Sequence, residues 1–203
     1  MTTVNASNVF NIAVNGNFDD CQKFVKSMFA DNNFRNSINM SGVNSINWAR
    51  IIFQIVYYFN CYFKICNLEE KINFSVPTGN FGDIYAGYFA KKMGLPIDKL
   101  IVATNQNDIL HRAISKGKYE ANSVIETLSP SMDIQVASNF ERLIYDVNEQ
   151  SADKTNKIMQ EIKIKKKYLI EKKELTKIKE DFLSESVSEE ELLSCIKKVY
   201  ENH

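Results

Sequence analysis

The spacing of apolar residues along the chain changes several times, and each change marks an element. Residues 8–15, NVFNIAVN, alternate apolar and polar positions up to Gly16, the pattern of a half-covered strand. From 18 to 29 the spacing widens to three and four, so Phe18, Cys21, Phe24, Val25, Met28 and Phe29 share one face of a helix. Asp19 and Asp20 fall in its first turn, where carboxylates suit the helix dipole. Residues 31–36 read as a polar loop. A longer helix starts near Asn44 or Ser45, either of which can cap it. Ile46, Ala49, Ile52, Phe53, Val56, Tyr57 and Phe59 ring that helix, which predicts cover on more than one side.

A strand over 71–76, a helix over 82–92, a strand over 100–103 and a helix over 108–115 follow. Gly94 and Pro96 close the first of these helices in the usual way, glycine past the last turn and proline beyond. The alternation predicts an α/β fold with a mostly parallel sheet and flanking helices. In such sheets ligands bind at the carboxyl ends of the strands, where the loops 78–83 and 104–108 lie.

After about residue 150 the composition shifts. Residues 151–180 hold ten lysines, yet the whole stretch from 151 carries 12 basic and 11 acidic residues, so the charges offset one another. The expectation is solvated helices with Ile162, Ile164, Leu169 and Ile170 turned inward. No aromatic or glycine pattern interleaves the lysines, which argues against nucleic-acid binding. Ser188, with Glu191 three residues on, is a capping box for a last helix over 189–200. Two parts are therefore expected: an α/β portion over 1–150 and a lysine-rich helical segment over 151–203.

Overall charge adds little: 25 basic and 25 acidic residues in 203 leave no net field to draw a nucleic acid or a membrane surface. The most apolar run, 49–65, contains Arg50, Gln54, Asn60 and Lys64, which suits a buried helix better than a membrane span. The first ten residues lack a basic stretch followed by an apolar one, so a cytoplasmic protein with reduced thiols is expected. Cys21, Cys61, Cys66 and Cys195 form no C-x-x-C pair and only His111 and His203 accompany them, so no zinc site is expected.

Two stretches carry candidate chemistry. In FSVPTGNFGDIYA, residues 74–86, a strand exits through Pro77 into Gly79 and Gly82 and becomes a helix at once. Backbone N–H groups and the helix dipole at such a start favour an anion, though Gly-Asn and Gly-Asp also make ordinary turns. The spacing is neither a Walker A loop nor GxGxxG. In NSINWAR, residues 44–50, Asn44, Ser45 and Arg50 could surround a second anion, with the arginine as a bidentate fork. A capped helix with a surface arginine would look the same.

Together the stretches are more specific. VNSINWARI, VPTGNFGDIYAGYFAKKMGLP, IVATNQNDIL, TLSPSMDI and SNFERL stand in the order and spacing of threonine synthases of the fungal and enterobacterial type, which the sequence resembles. GNFDDCQ, from Gly16, resembles that family's GTFDDCQ, with Asn17 in place of threonine. The similarity is close over about 8–145 and weak in the tail. It implies a tryptophan-synthase-β-like fold, pyridoxal 5'-phosphate as cofactor, and conversion of O-phospho-L-homoserine and water to L-threonine and phosphate in threonine biosynthesis. By the same resemblance, Gly79, Asn80, Phe81, Gly82 and Asp83 would bind the cofactor, and Asn44, Ser45, Arg50 and Asn80 the substrate's phosphate. The family's Schiff-base lysine lies in a short F-K-D-type motif upstream of these stretches, and no such motif occurs here. The expectation is an interior portion of the enzyme, about half its length, without a catalytic residue of its own and inactive as it stands. Competing readings are another lyase of this fold, such as threonine dehydratase, and a non-catalytic remnant or structural half that pairs with a separate lysine-bearing segment.

Overall fold

A computed structural model describes residues 4–16, 18–44, 46–67 and 70–202, apart from the side chains of Phe18 and Asp19. The chain divides into two compact units, Met1–Gly42 and Val43–His203.

The first unit holds α1 (Phe18–Ala30) and α2 (Asn32–Ser37). The strand expected over 8–15 is absent: those residues form no ladder, and Phe10 and Ile12 are 82% and 86% exposed. Alternation makes a strand only where a neighbour takes up the backbone N–H and C=O groups, and none does so here among the described residues. The polar loop expected over 31–36 is instead a helix over 32–37 with Asp31 as its N-cap. The Asp31 carboxylate accepts the N–H of Phe34 at 3.0 Å, and that cap outweighs the poor helix propensity of the asparagines.

The second unit is built on a parallel sheet. Its first elements are α3 (Trp48–Ile65), β1 (Ile72–Pro77), α4 (Gly82–Lys92), β2 (Ile97–Thr104), α5 (Ile109–Lys116) and β3 (Lys118–Glu120). Then come α6 (Phe140–Val147), α7 (Ala152–Lys165), β4 (Lys167–Leu169), α8 (Lys172–Asp181), β5 (Phe182–Ser186) and α9 (Glu189–Asn202). Strand order is β1-β2-β5, with Val76 beside Val102 and Leu100 beside Phe182. β3 and β4 form a separate antiparallel ribbon. Central β2 is covered on both faces, and Leu100 and Val102 are fully buried. At the edge, β1 alternates half-buried Ile72, Phe74 and Val76 with exposed Asn73, Ser75 and Pro77.

Helix α3 is covered on one side only, contrary to the expectation. Ile51, Ile55, Tyr58 and Tyr62 recur every three or four residues and are buried, while Phe53 and Tyr57 are 71% and 68% exposed. Its cap is Asn47, whose side chain accepts the N–H of Ala49 at 2.9 Å; Asn44 instead closes the preceding turn onto Ile46 at 3.2 Å. Close approach of α3, α4 and β2 depends on Gly87, where an added Cβ would lie 2.5 Å from the Tyr58 ring and 2.9 Å from Leu100.

The break in composition at residue 150 does not coincide with a structural one. The lysine-rich stretch is not purely helical: its β5 is the third strand of the main sheet. Ile162 and Ile170 are buried, but Ile164 and Leu169 are exposed. Ile164 lies two residues past Ile162, far round α7 from the buried Thr155, Ile158 and Ile162, and Leu169 alternates outward in β4. Several of the lysines have partners: Lys154 pairs with buried Glu174 at 2.7 Å, and Lys177 donates to the Val147 carbonyl at 3.1 Å and lies 3.3 Å from Glu149. Burial opposes ionisation of Glu174, but hydrogen bonds from Lys154 and Tyr168 outweigh it and hold the carboxyl below its usual range. Ser188 and Glu191 form the expected capping box on α9, with the Ser188 N–H donating to the Glu191 carboxylate at 2.9 Å. Among the described residues no helix is long and apolar enough to cross a membrane, and no cluster of three or more His, Cys, Asp or Glu could hold a metal ion.

Candidate functional site

Three loops meet at the carboxyl end of the sheet. The first leaves β1 through Pro77. Thr78 extends the ladder one residue further, its N–H donating to the Ala103 carbonyl at 2.8 Å, and its hydroxyl donates back to the Val76 carbonyl at 2.6 Å. Gly79 then passes beneath residues 131–134. A Cβ there would lie 2.9 Å from Ile134 Cδ1 and 3.2 Å from the Ser131 carbonyl, so the position is shaped for glycine.

The next two residues define the turn. The Asn80 carbonyl accepts both the N–H (3.0 Å) and the side-chain amide (3.1 Å) of buried Asn139, and its Oδ1 accepts the Ser138 hydroxyl at 3.2 Å. Phe81 has φ +67°, a left-handed conformation that a bulky residue rarely adopts. Its ring holds it there: it is fully buried, edge-on to Phe140 at 5.3 Å and 5.5 Å from Phe182. Helix α4 therefore starts at Gly82 with no side chain capping it from Phe81. The N–H groups of Asn80, Phe81 and Gly82 meet no acceptor among the described residues. This is the arrangement that receives an anion.

Asp83 does another job. Its carboxylate accepts the N–H of Ile84 at 2.7 Å, and its carbonyl accepts the buried Tyr58 hydroxyl at 2.8 Å. Burial pushes the Asp83 carboxyl above the usual aspartate range, against the pull of the Ile84 N–H and its own. The same burial, aided by Asp83, raises the Tyr58 phenol.

The second loop follows β2. Asp133 gathers it: Oδ1 accepts from the amides of Asn105 (2.7 Å) and Asn107 (3.0 Å) and from the Thr127 hydroxyl (2.7 Å), and Oδ2 from the Thr127 N–H (2.8 Å). Asn107 also accepts the N–H of Ile125 at 2.9 Å. IVATNQNDIL and TLSPSMDI are thus one hydrogen-bonded wall. Beside it Pro77, Thr104, Asn105, Ser129, Met132 and Leu192 line a cavity of about 280 Å³, and no lysine is among its lining within the described residues.

The third loop precedes α3. Arg50 is exposed and, among the described residues, its side chain makes one weak hydrogen bond, Nη1 to the Val43 carbonyl at 3.4 Å, at the edge of a cleft of about 530 Å³ that includes Asn47, Phe53 and Tyr57. Asn44 is exposed and Ser45 lies outside the described residues. Among the described residues no hydrogen bond joins Asn44 or Arg50 to Asn80. The link runs through Arg142, which lies in the quoted SNFERL stretch but was not among the expected site residues. Its Nε donates to Asn139 Oδ1 at 2.9 Å, its Nη2 to the Ile46 carbonyl at 2.9 Å, and its guanidinium lies 5.3 Å from the Trp48 ring. The Asn139-x-x-Arg142 spacing, one helical turn at the start of α6, was the available signal.

No family model matches the chain. It is 48% identical to threonine synthase of Pseudomonas aeruginosa over 98% of its own length and 43% of that protein's. The crystal structure of threonine synthase from yeast superposes with a TM-score of 0.87 at 47% identity, covering 99% of this chain and 42% of that one. The pyridoxal-phosphate-bound threonine synthase of Brucella melitensis gives a TM-score of 0.80 at 49% identity, over 87% of this chain and 38% of that one. The chain therefore spans less than half the length of these relatives, and the α/β fold with its parallel sheet is theirs.

Proposed function

We propose that this chain, which belongs to the threonine synthase family, supplies the phosphate-binding part of a pyridoxal-phosphate enzyme that converts O-phospho-L-homoserine and water to L-threonine and phosphate. One observation carries the reading: the uncapped start of α4, with free N–H groups on Asn80, Phe81 and Gly82 held outward by the buried ring of a left-handed Phe81. That cradle fits the phosphate of the cofactor, and Gly79 keeps its floor clear. When bound, the cofactor supplies an electron sink for charge developing on the substrate's carbons.

The chain's own residues hold and neutralise. The N–H groups at 80–82 and the α4 dipole fix one phosphate by backbone alone. Asp83 maintains the helix start rather than touching that phosphate, since an ionised carboxylate beside it would repel it. Arg50 and Asn44, with Ser45, take the substrate's phosphate. Because that group departs with negative charge, the Arg50 fork stabilises the leaving group as well as positioning it. Arg50 has little other work in the fold, which supports this assignment. The lysine that carries the cofactor comes from another segment.

Titration of the chain with pyridoxal 5'-phosphate, followed by the cofactor's absorbance and ³¹P resonance, tests the cradle. Saturable binding that Gly79→Ala weakens about tenfold or more supports it; binding indifferent to Gly79→Ala overturns it. Reduction with borohydride followed by peptide mapping tests the lysine. Stoichiometric labelling of one lysine in this chain would place the covalent anchor here after all.

One observation favours the variant in which the activity needs additional polypeptide beside this chain: the open side of α3, with Phe53, Tyr57 and Phe63 exposed. A continuous apolar helix face of that kind is normally covered. Phosphate release from O-phosphohomoserine only when a lysine-bearing segment is added would support it, and release by this chain alone would refute it.

A further inference from the structure

We infer that Arg142 is a positioning residue that locks the two phosphate loops into one register, so that order in one imposes order in the other. The inference rests on the two-phosphate reading above for its purpose, but its physical content is independent of any ligand.

The geometry is that of a three-point latch. At one end, Asn139 donates its N–H and its side-chain amide to the Asn80 carbonyl, at 3.0 and 3.1 Å, and so fixes the peptide that opens the cradle. Asn139 is fully buried, and its Oδ1 is oriented by Arg142 Nε at 2.9 Å. At the other end, Arg142 Nη2 holds the Ile46 carbonyl at 2.9 Å, inside the segment between Asn44 and Arg50. The guanidinium also faces the Trp48 ring at 5.3 Å, and Trp48 lies edge-on to Phe89 of α4 at 5.2 Å. One planar group thus touches the entrance to α3 and, through a single buried amide, the entrance to α4.

Besides Arg142, the described contacts at the entrance to α3 include the local turns of Ile46 onto Asn44, Asn47 onto Asn44 and Arg50 onto Val43, and the Trp48 ring against Tyr85 and Phe89 of α4. Ile46 and Trp48 are both partly open to solvent. Removing the guanidinium releases the Ile46 carbonyl and the ring face together and leaves Asn139 free to reorient. A lysine reaches one of the three points at most, since it lacks the planar fork.

Amide hydrogen exchange on the chain without ligand reads this directly, comparing wild type with Arg142→Gln and Arg142→Lys. The expected result is faster exchange, by about tenfold or more, at both 46–50 and the first bonded amides of α4, 84–86, with β1 and β2 unchanged and Arg142→Lys rescuing at most one segment. Trp48 is the sole tryptophan, so its emission should shift in both variants. Acceleration confined to α6 or to one loop, or a global rise that includes β2, overturns the latch. Should Arg142→Gln fail to fold, Trp48→Leu removes one point and must accelerate 46–50 more than 84–86. The pyridoxal-phosphate titration separates the two ideas. A wild type that exchanges as expected yet binds no cofactor refutes the proposed function and leaves the coupling standing; a wild type that binds, with variants whose loops exchange independently, does the reverse.

Discussion

The loop after β1 and the loop before α3 were read from the sequence as the same kind of object, a helix start with amide or glycine residues that could hold a phosphate. In the fold they are opposites. The first is set into the core: Thr78 on the β2 ladder, Asn80 tied to Asn139, Phe81 wedged between Phe140 and Phe182. The second lies on the surface, with Arg50 and Asn44 exposed, and Arg142 and the Trp48 ring tie it to the rest of the site. A site that must present fixed backbone N–H groups needs a rigid frame. One that uses a long charged side chain can leave that side chain free until a ligand arrives.

The comparison breaks most visibly at Phe81. Phe81→Ala empties a fully buried position and keeps a non-glycine residue at positive φ, so a loss of about 3–5 kcal/mol is expected in urea unfolding. The parallel substitution in the other loop, Ile46→Ala, removes a partly exposed side chain and should cost about 1 kcal/mol or less. Equal costs would mean that the surface loop is as deeply supported as the core one. Gly79→Ala comes next, at about 1–3 kcal/mol, because the new methyl meets Ile134 and the Ser131 carbonyl. Its signature is a loss of cofactor binding out of proportion to the loss of stability.

The two carboxylates near α4 sharpen the contrast by their opposite signs. Asp146 accepts from the Tyr88 hydroxyl at 2.7 Å and from Lys92, and these outweigh the burial that would otherwise raise it, so its carboxyl is held low. Its contribution is complete above the ordinary aspartate value and disappears as pH falls through the lowered one. Asp146→Asn should therefore cost about 1 kcal/mol at neutral pH. Asp83 is raised by burial, so its contribution is present in acid and is lost as pH rises through the raised value. Asp83→Asn should be neutral or stabilising at pH 7 and should steepen the acid limb of the stability profile, because it removes a group whose contribution grows as pH falls. Unfolding curves of both variants at several pH values check the signs; loss of stability at pH 7 in Asp83→Asn would contradict the role given to burial.

How far the sequence reached follows the same division between core and surface. The bounds of α4 agree with the expected helix from about 82 to 92 because Gly82, Gly94 and Pro96 punctuate it. The strand at 8–15 failed because alternation says nothing about whether a partner strand is present. The cover on α3 was overstated because an apolar residue in a pattern is not yet a buried one. β5 was missed since FLSES sits in a charged stretch, and its place in the sheet comes from pairing with β2, a contact of long sequence separation. Within the site, glycines and turn letters located the cradle, while its supports could not be seen. Asn139 and Arg142 lie about sixty residues away, and although SNFERL and its Asn-x-x-Arg spacing were visible, neither pointed to Asn80.

The smallest effect expected on the fold is also the most pointed. Arg50→Ala removes one 3.4 Å contact from an exposed side chain, so unfolding should shift by no more than about 0.5 kcal/mol. If the guanidinium is held in reserve for a phosphate, the same substitution should remove a weak, salt-sensitive site for inorganic phosphate seen by ³¹P titration and leave the pyridoxal-phosphate site intact. Gly79→Ala should do the converse. Loss of both sites on Arg50→Ala would mean that the arginine supports the cradle through the fold, and the two loops would then be one site with one strut. Loss of neither would remove Arg50 from the substrate's phosphate altogether. A fold that barely registers the side chain, together with a ligand that depends on it, is what a binding role predicts and a structural role does not.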